Sequence, residues 1–258
     1  MAVSIAHKIG SIKRKILWAV NQLFFGQNPQ VGLPATIVAR PFPVISNPFK
    51  DIKERMLAST WGMIQPQDKL ALMEGLVRVC ADTNEIVICE LGVAAGLTGN
   101  RLVEFAEAIG AKKVRYFGVD DLTLTGQIPE FRYADRMNFV DGGSLALARI
   151  QTSFNFALVD ACHCSECVYH DSIAMSQRIS VGGMMAFHDT SMASQYPNSS
   201  LGQTHWQHYC RGSESQRPLA VLEGLAMARH DWLGRWRLVI QEGDHLEWGG
   251  VRIFQRQS

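Results

Sequence analysis

Glu85-Ile86-Val87-Ile88-Cys89-Glu90-Leu91 runs directly into Gly92-Val93-Ala94-Ala95-Gly96. A short, almost continuous apolar run marks a strand buried on both faces of a parallel sheet, and the helical pattern from Thr98 to Ile109 completes a strand, a glycine turn and a helix. Glycine at such a turn lets the backbone approach a ligand closely. A dinucleotide site would ask for G-x-G-x-x-G to seat its pyrophosphate. This turn has only Gly92 and Gly96, with Ala94 between them, and so points to a nucleoside without phosphate.

The same grammar repeats outward from that stretch. Val114 to Val119 forms the next strand and stops at Asp120-Asp121; Phe154 to Val159 forms another and stops at Asp160. A helical pattern over 165–180 follows. Gly182-Gly183 then leads into a strand from Met184 to Phe187 that stops at His188-Asp189. Upstream, Pro66 to Val79 reads as a helix with Asp68 in its first turn. Downstream, β-rich runs at Trp236–Ile240 and Gly249–Phe254 flank Glu242-Gly243-Asp244-His245 as a closing hairpin. Strands alternating with helices predict an α/β fold: a doubly wound, mostly parallel sheet with a C-terminal antiparallel hairpin. Its ligand should lie across the carboxyl ends of the strands, where the acids gather. Asp120 is then placed to accept hydrogen bonds from ribose hydroxyls, with Asp121 as the nearest substitute.

Composition narrows the class. Twenty-five basic and 24 acidic side chains leave a formal net charge of +1, so no whole-molecule field gathers nucleic acid, and none is expected as a partner. Six cysteines at irregular spacing read as reduced thiols rather than a disulfide framework, and no apolar run is long enough to span a bilayer; a cytoplasmic protein is expected. Residues 1–26 read as an amphipathic helix. Ile5, Ile9, Ile12, Ile16, Val20 and Leu23 recur at helical steps among Lys8, Lys13, Arg14 and Lys15. That stripe suits packing on the protein body or a second subunit, and a basic face opposite Trp18, Phe24 and Phe25 also suits peripheral membrane contact. Residues 27–60, rich in proline, read as an extended arm, and 61–258 as the ligand-binding domain.

With these residues in place, the sequence resembles the class I S-adenosylmethionine-dependent methyltransferases. It is most similar to the small O-methyltransferase group related to macrocin and catechol O-methyltransferases. Glu90, Gly92 and Gly96 match the acid-x-G-x-x-x-G of the first motif, Asp120 the acid after the second strand, and Gly142-Gly143-Ser144 the small polar turn near the adenine. From Phe156 to Asp189, Asp160, His163, Glu166, Val168, Asp171, Gly182, Gly183, His188 and Asp189 fall on the group's pattern without a gap. Ala161, Cys162 and Ser165 depart from it. The resemblance implies an S-adenosylmethionine cofactor held by Glu90, Gly92, Gly96, Asp120, Asp121, Gly143, Ser144 and Asp160. It also implies methyl transfer to a hydroxyl of a small molecule such as a sugar or phenol.

Methyl transfer from a sulfonium to a hydroxyl needs in-line placement and loss of the acceptor's proton. Metal-using relatives lower the hydroxyl's pKa with Mg2+ or another divalent cation, for which Asp160, His188 and Asp189 are the candidate ligands. The competing role for Asp160 and Asp189 is helix capping. His163, with an ordinary pKa of about 6.5, is the candidate general base or a pocket hydrogen-bond donor, against a satisfied structural histidine; Asp160, His163 and Asp189 form the candidate catalytic set. Cys162, Cys164 and Cys167, with His163 and His170, also supply enough ligands for zinc. The second half of a zinc site is missing, however, which favours a pocket wall or simple packing. Tyr196, His205, Trp206, His208, Tyr209 and Trp232 read either as an aromatic lid over the acceptor or as half-buried surface aromatics. Two rivals remain: a methyltransferase fold that binds cofactor or partner without turnover, and a nicotinamide-dependent oxidoreductase.

Overall fold

A computed structural model describes residues 50–81, 83–191, 220–232, 234–246 and 248–258, with the side chain of Leu124 set aside. The expected 1–26 helix and the aromatics Tyr196 to Tyr209 lie outside these residues. Of the arm expected over 27–60, residues 27–49 also lie outside them, and Lys50–Ala58 is not extended but a helix, α1, whose Met56 is fully buried. Its proline-free sequence, with Asp51 in the first turn and Arg55 in the last, favours a helix where the prolines upstream do not. Helix α2, Pro66–Cys80, follows as expected, with proline in its first turn.

Seven strands form one sheet: β1 Glu85–Leu91, β2 Lys113–Asp120, β3 Met137–Asp141, β4 Phe154–Val159, β5 Ile179–Phe187, β6 Trp236–Glu242 and β7 Val251–Arg256. Their order is β3-β2-β1-β4-β5-β7-β6. The first five are parallel; β7 pairs antiparallel with β5 and with β6, which is the expected C-terminal hairpin. Between the strands run α3 (Leu97–Ala108), α4 (Leu122–Thr125), a 3-10 turn (Ser144–Arg149), α5 (Ser165–Ser176) and α6 (Val221–Asp231). Strand β3 gave no signal in the sequence. The helical pattern expected to residue 180 stops at Ser176, since β5 begins at Ile179 and passes through Gly182-Gly183.

The period of two along each strand divides the core between the faces. Ile86 and Ile88 of β1, Phe156 and Leu158 of β4, and Met184 and Ala186 of β5 pack with α2 and α3. Val87, Cys89 and Leu91, Ala157 and Val159, and Met185 and Phe187 pack with α5 and α6. Trp232, a lid candidate, belongs to this second core. Its ring stacks on Phe187 at 6.2 Å and meets Phe254 edge-on at 4.9 Å. Strand order reverses on either side of β1, so the switch point opens between the carboxyl ends of β1 and β4.

Candidate active site

The glycine turn after β1 is fixed from below and from the side. Gly92 (φ +89°) donates to the Val119 carbonyl at 2.9 Å, and a Cβ there would stand 2.1 Å from the Asp160 carbonyl oxygen, so the end of β4 leaves space only for glycine. Asp120 accepts from the backbone N–H groups of Val93 and Ala94 through Oδ2, each at 2.8 Å, and from Asp121 through Oδ1 at 2.8 Å. The acid expected on a ribose therefore also shapes the turn. Asp121 caps α4 by accepting from the Thr123 N–H. Gly96 (φ +81°) is the N-cap residue of α3 and lies under Phe131, on a segment that returns to the turn through Glu130 N–H to the Ala95 carbonyl at 3.1 Å.

Glu90 shares a face with Ile86 and Ile88 and is buried there, accepting a hydrogen bond from the Tyr116 hydroxyl. Burial lifts its carboxyl to about 8, against the pull of that bond. Gly143 precedes the 3-10 turn, and Ser144 hydrogen-bonds to buried Asp171, whose carboxyl burial raises to about 7.

Across the switch point, the ends of β4 and β5 bring together two acids and two histidines. His163 Nε2 lies 3.3 Å from Asp160 Oδ1 and 2.9 Å from Asp189 Oδ2. His188 Nδ1 lies 3.2 Å from Asp160 Oδ1 and 3.3 Å from Asp189 Oδ2. Asp189 holds the left-handed backbone conformation at φ +53°, an uncommon state for aspartate that aims its side chain into this cluster, and its Oδ1 accepts the Gly249 N–H at 3.0 Å. Capping does not account for Asp160: Cys164 holds the N-cap position of α5, while the Asp160 carboxylate faces the histidines.

Sequence reasoning missed Asp68. Fully buried, it faces His188 Nε2 at 3.1 Å and accepts the Gly250 N–H at 3.1 Å. The signal was available, because Asp68 stands four residues before buried Leu72 on the inner face of α2.

The charges order the protons. Burial works against both charged imidazoles, but the carboxylates of Asp189 and Asp160 overcome it, lifting His163 to about 9 and His188 well above its ordinary range. Burial likewise opposes the Asp160 carboxylate, and the His188 charge with the two histidine hydrogen bonds holds it down at about 2. Asp189 is held well below the usual range by the same two histidines against burial. In this arrangement His163 is an imidazolium at neutral pH, a donor rather than a base.

As a donor set for a divalent cation, Asp160, His163 and Asp189 offer one atom each, all within 4.8 Å of one another. His188 differs from its expected place in that set: one ring nitrogen faces Asp68 and the other the two carboxylates, so it buttresses them. Two carboxylates and an imidazole suit an Mn2+-like ion better than Mg2+, which prefers oxygen alone.

Comparison with known proteins agrees with the fold. Residues 89–190 match the family model described as a methyltransferase domain. A candidate O-methyltransferase of Klebsiella pneumoniae superposes with a TM-score of 0.50 at 14% identity, over 81% of this chain and 87% of that one. An O-methyltransferase family protein of Burkholderia thailandensis gives 0.50 at 10% identity, over 80% of this chain and 59% of that one. No curated protein matches the chain. The fold is that of the class I methyltransferases, as the resemblance of Glu90 to Asp189 implied.

Proposed function

We propose that this chain binds S-adenosylmethionine at the Gly92–Gly96 turn and transfers its methyl group to a hydroxyl of a small molecule held at Asp160, His163 and Asp189. The observation that carries this reading is contiguity. The turn touches the backbone of Asp160 itself, so a sulfonium seated on the turn faces the acid and histidine cluster across the switch point. Asp120 fixes the turn through its backbone bonds while keeping lone pairs for the ribose hydroxyls. Asp160, the partly exposed acid of the cluster, accepts a hydrogen bond from the acceptor hydroxyl and orients its oxygen.

Asp160, His163 and Asp189 would hold a divalent cation, which when bound supplies positive charge that lowers the pKa of a nearby hydroxyl. His163 can take up a proton only after losing its own, which the carboxylates delay to about pH 9.

Calorimetric titration with S-adenosylmethionine and with NAD, followed by labelled-methyl transfer to a panel of sugars and phenols, tests the proposal. We expect binding of the first ligand alone and label in a hydroxylated acceptor. Absence of S-adenosylmethionine binding overturns it; binding without transfer to any acceptor favours a fold that binds cofactor without turnover. In a chelator, transfer should fall to a small residue while cofactor binding persists. Asp160→Asn and Asp189→Asn should each remove most of the rate, with the double variant little worse than either. Full activity in the chelator would leave His163 as the base, with a rate that falls as pH drops through about 9.

A further inference from the structure

The loop that carries His163 carries a second cluster that methyl transfer does not use. Cys162 and Cys164 flank His163, Cys164 is the N-cap residue of α5, and Cys167 lies in that helix's first turn. Their three sulfurs lie within 4.8 Å of one another, with Cys162 Sγ and Cys164 Sγ 3.6 Å apart. Two thiolates on one tetrahedral zinc, each about 2.3 Å from the metal, stand about 3.8 Å apart. The sulfurs thus already sit near ligand spacing.

The histidines that zinc could have used are directed elsewhere: His163 Nε2 faces Asp160 and Asp189, while exposed His170 packs its ring against Tyr169 at 5.1 Å. The three thiols hydrogen-bond among themselves, which with burial keeps Cys162 and Cys167 protonated. A cation reverses that balance, and the N-terminus of α5 favours the negative charge that three thiolates bring. Cys162 and Cys167 are only half-buried, which leaves a way in.

We propose that Cys162, Cys164 and Cys167 form a three-thiolate site for a thiophilic cation, Zn2+ foremost, with no fourth protein ligand among the described residues. Binding exchanges three S–H protons, released to solvent, for three metal–sulfur bonds.

The test uses the full chain, reduced and freed of metal, titrated with Cd2+ and followed by the ultraviolet sulfur-to-cadmium charge-transfer band, with Zn2+ as competitor. We expect the band to saturate at one equivalent with an intensity matching three thiolates, to vanish on Zn2+ addition, and to persist in a Cys80→Ser/Cys210→Ser variant. It should be lost in Cys162→Ser/Cys167→Ser. No saturating band at one equivalent, or a band that survives that double variant, overturns the proposal. Should the double variant fail to fold, alkylation of the wild-type chain decides: Zn2+ should protect Cys162 and Cys167 from iodoacetamide at least tenfold, and equal labelling with and without Zn2+ overturns the site. S-adenosylmethionine titration of the same samples reads the methyltransferase proposal separately.

Discussion

At Glu90 a single carboxyl connects strand periodicity to pH. The residue falls on the face of Ile86 and Ile88, is buried beside Tyr116, and is lifted to about 8. The folded chain therefore holds this proton more tightly than the unfolded one. Its stabilisation is complete below an ordinary glutamate pKa of about 4.3 and is lost as pH rises through about 8, at about 1.4 kcal/mol for each unit of pH in between. Glu90→Gln keeps an acceptor for the Tyr116 hydroxyl and removes the titration. Urea melts should show wild type losing ground to the variant as pH rises from 5 to 9, as a falling midpoint at constant slope; parallel curves would show that Glu90 is not buried as a proton carrier. Asp120 acts at the same scale through geometry. Asp120→Ala releases the Val93 and Ala94 N–H groups and should weaken S-adenosylmethionine binding by about 1 to 3 kcal/mol, measured by calorimetry, whereas an unchanged affinity would place the ribose elsewhere.

Between elements, helix α2, the end of β5 and the glycines before β7 meet at Asp68. Two glycines there bring the backbone close enough to donate, Gly249 to Asp189 and Gly250 to Asp68, while the carbonyls of Gly249 and Gly250 accept from Ser191 and Thr190. Asp68→Ala leaves His188 Nε2 and the Gly250 N–H facing an empty interior and should cost about 3 to 5 kcal/mol in denaturant melts; Asp68→Asn, which keeps an oxygen, should cost less. A loss under 1 kcal/mol for alanine would mean that water replaces the carboxylate. This junction also shows how much the sequence made legible. Strands β1, β2, β4 and β5 could be read because each is an apolar run with a marked end, the glycine turn after β1 and an acid after each of the other three, and those acids are Asp120, Asp160 and Asp189. Strand β3 could not, since Met137–Asp141 is half-exposed at the sheet edge and carries no apolar run. Asp68 stayed hidden because an acid in a first turn has a sufficient local explanation in the helix dipole, and the partner that gives it meaning, His188, is fixed only by tertiary packing.

For the whole molecule, the described residues already complete a sheet whose switch point holds both the glycine turn and the acid and histidine cluster. The hydrogen bonds of Gly92, Asp120, Asp160 and Asp189 described above come from residues at or after Asp68. The amphipathic stripe expected from Ile5 to Leu23 lies outside the described residues; its basic and apolar residues suit an anionic membrane surface or a second copy of the chain. No helix among the described residues is long and apolar enough to cross a membrane. Deleting residues 1–26 should leave the dissociation constant for S-adenosylmethionine within about twofold, a difference of about 0.4 kcal/mol. It should also reduce sedimentation with anionic liposomes or shift the oligomeric state in analytical ultracentrifugation. A truncated chain that folds, with the wild-type circular dichroism, yet no longer binds cofactor would assign the helix to the site. If neither liposome binding nor oligomeric state changes, the stripe packs on the protein's own body, and the truncation should then appear as a lowered melting temperature.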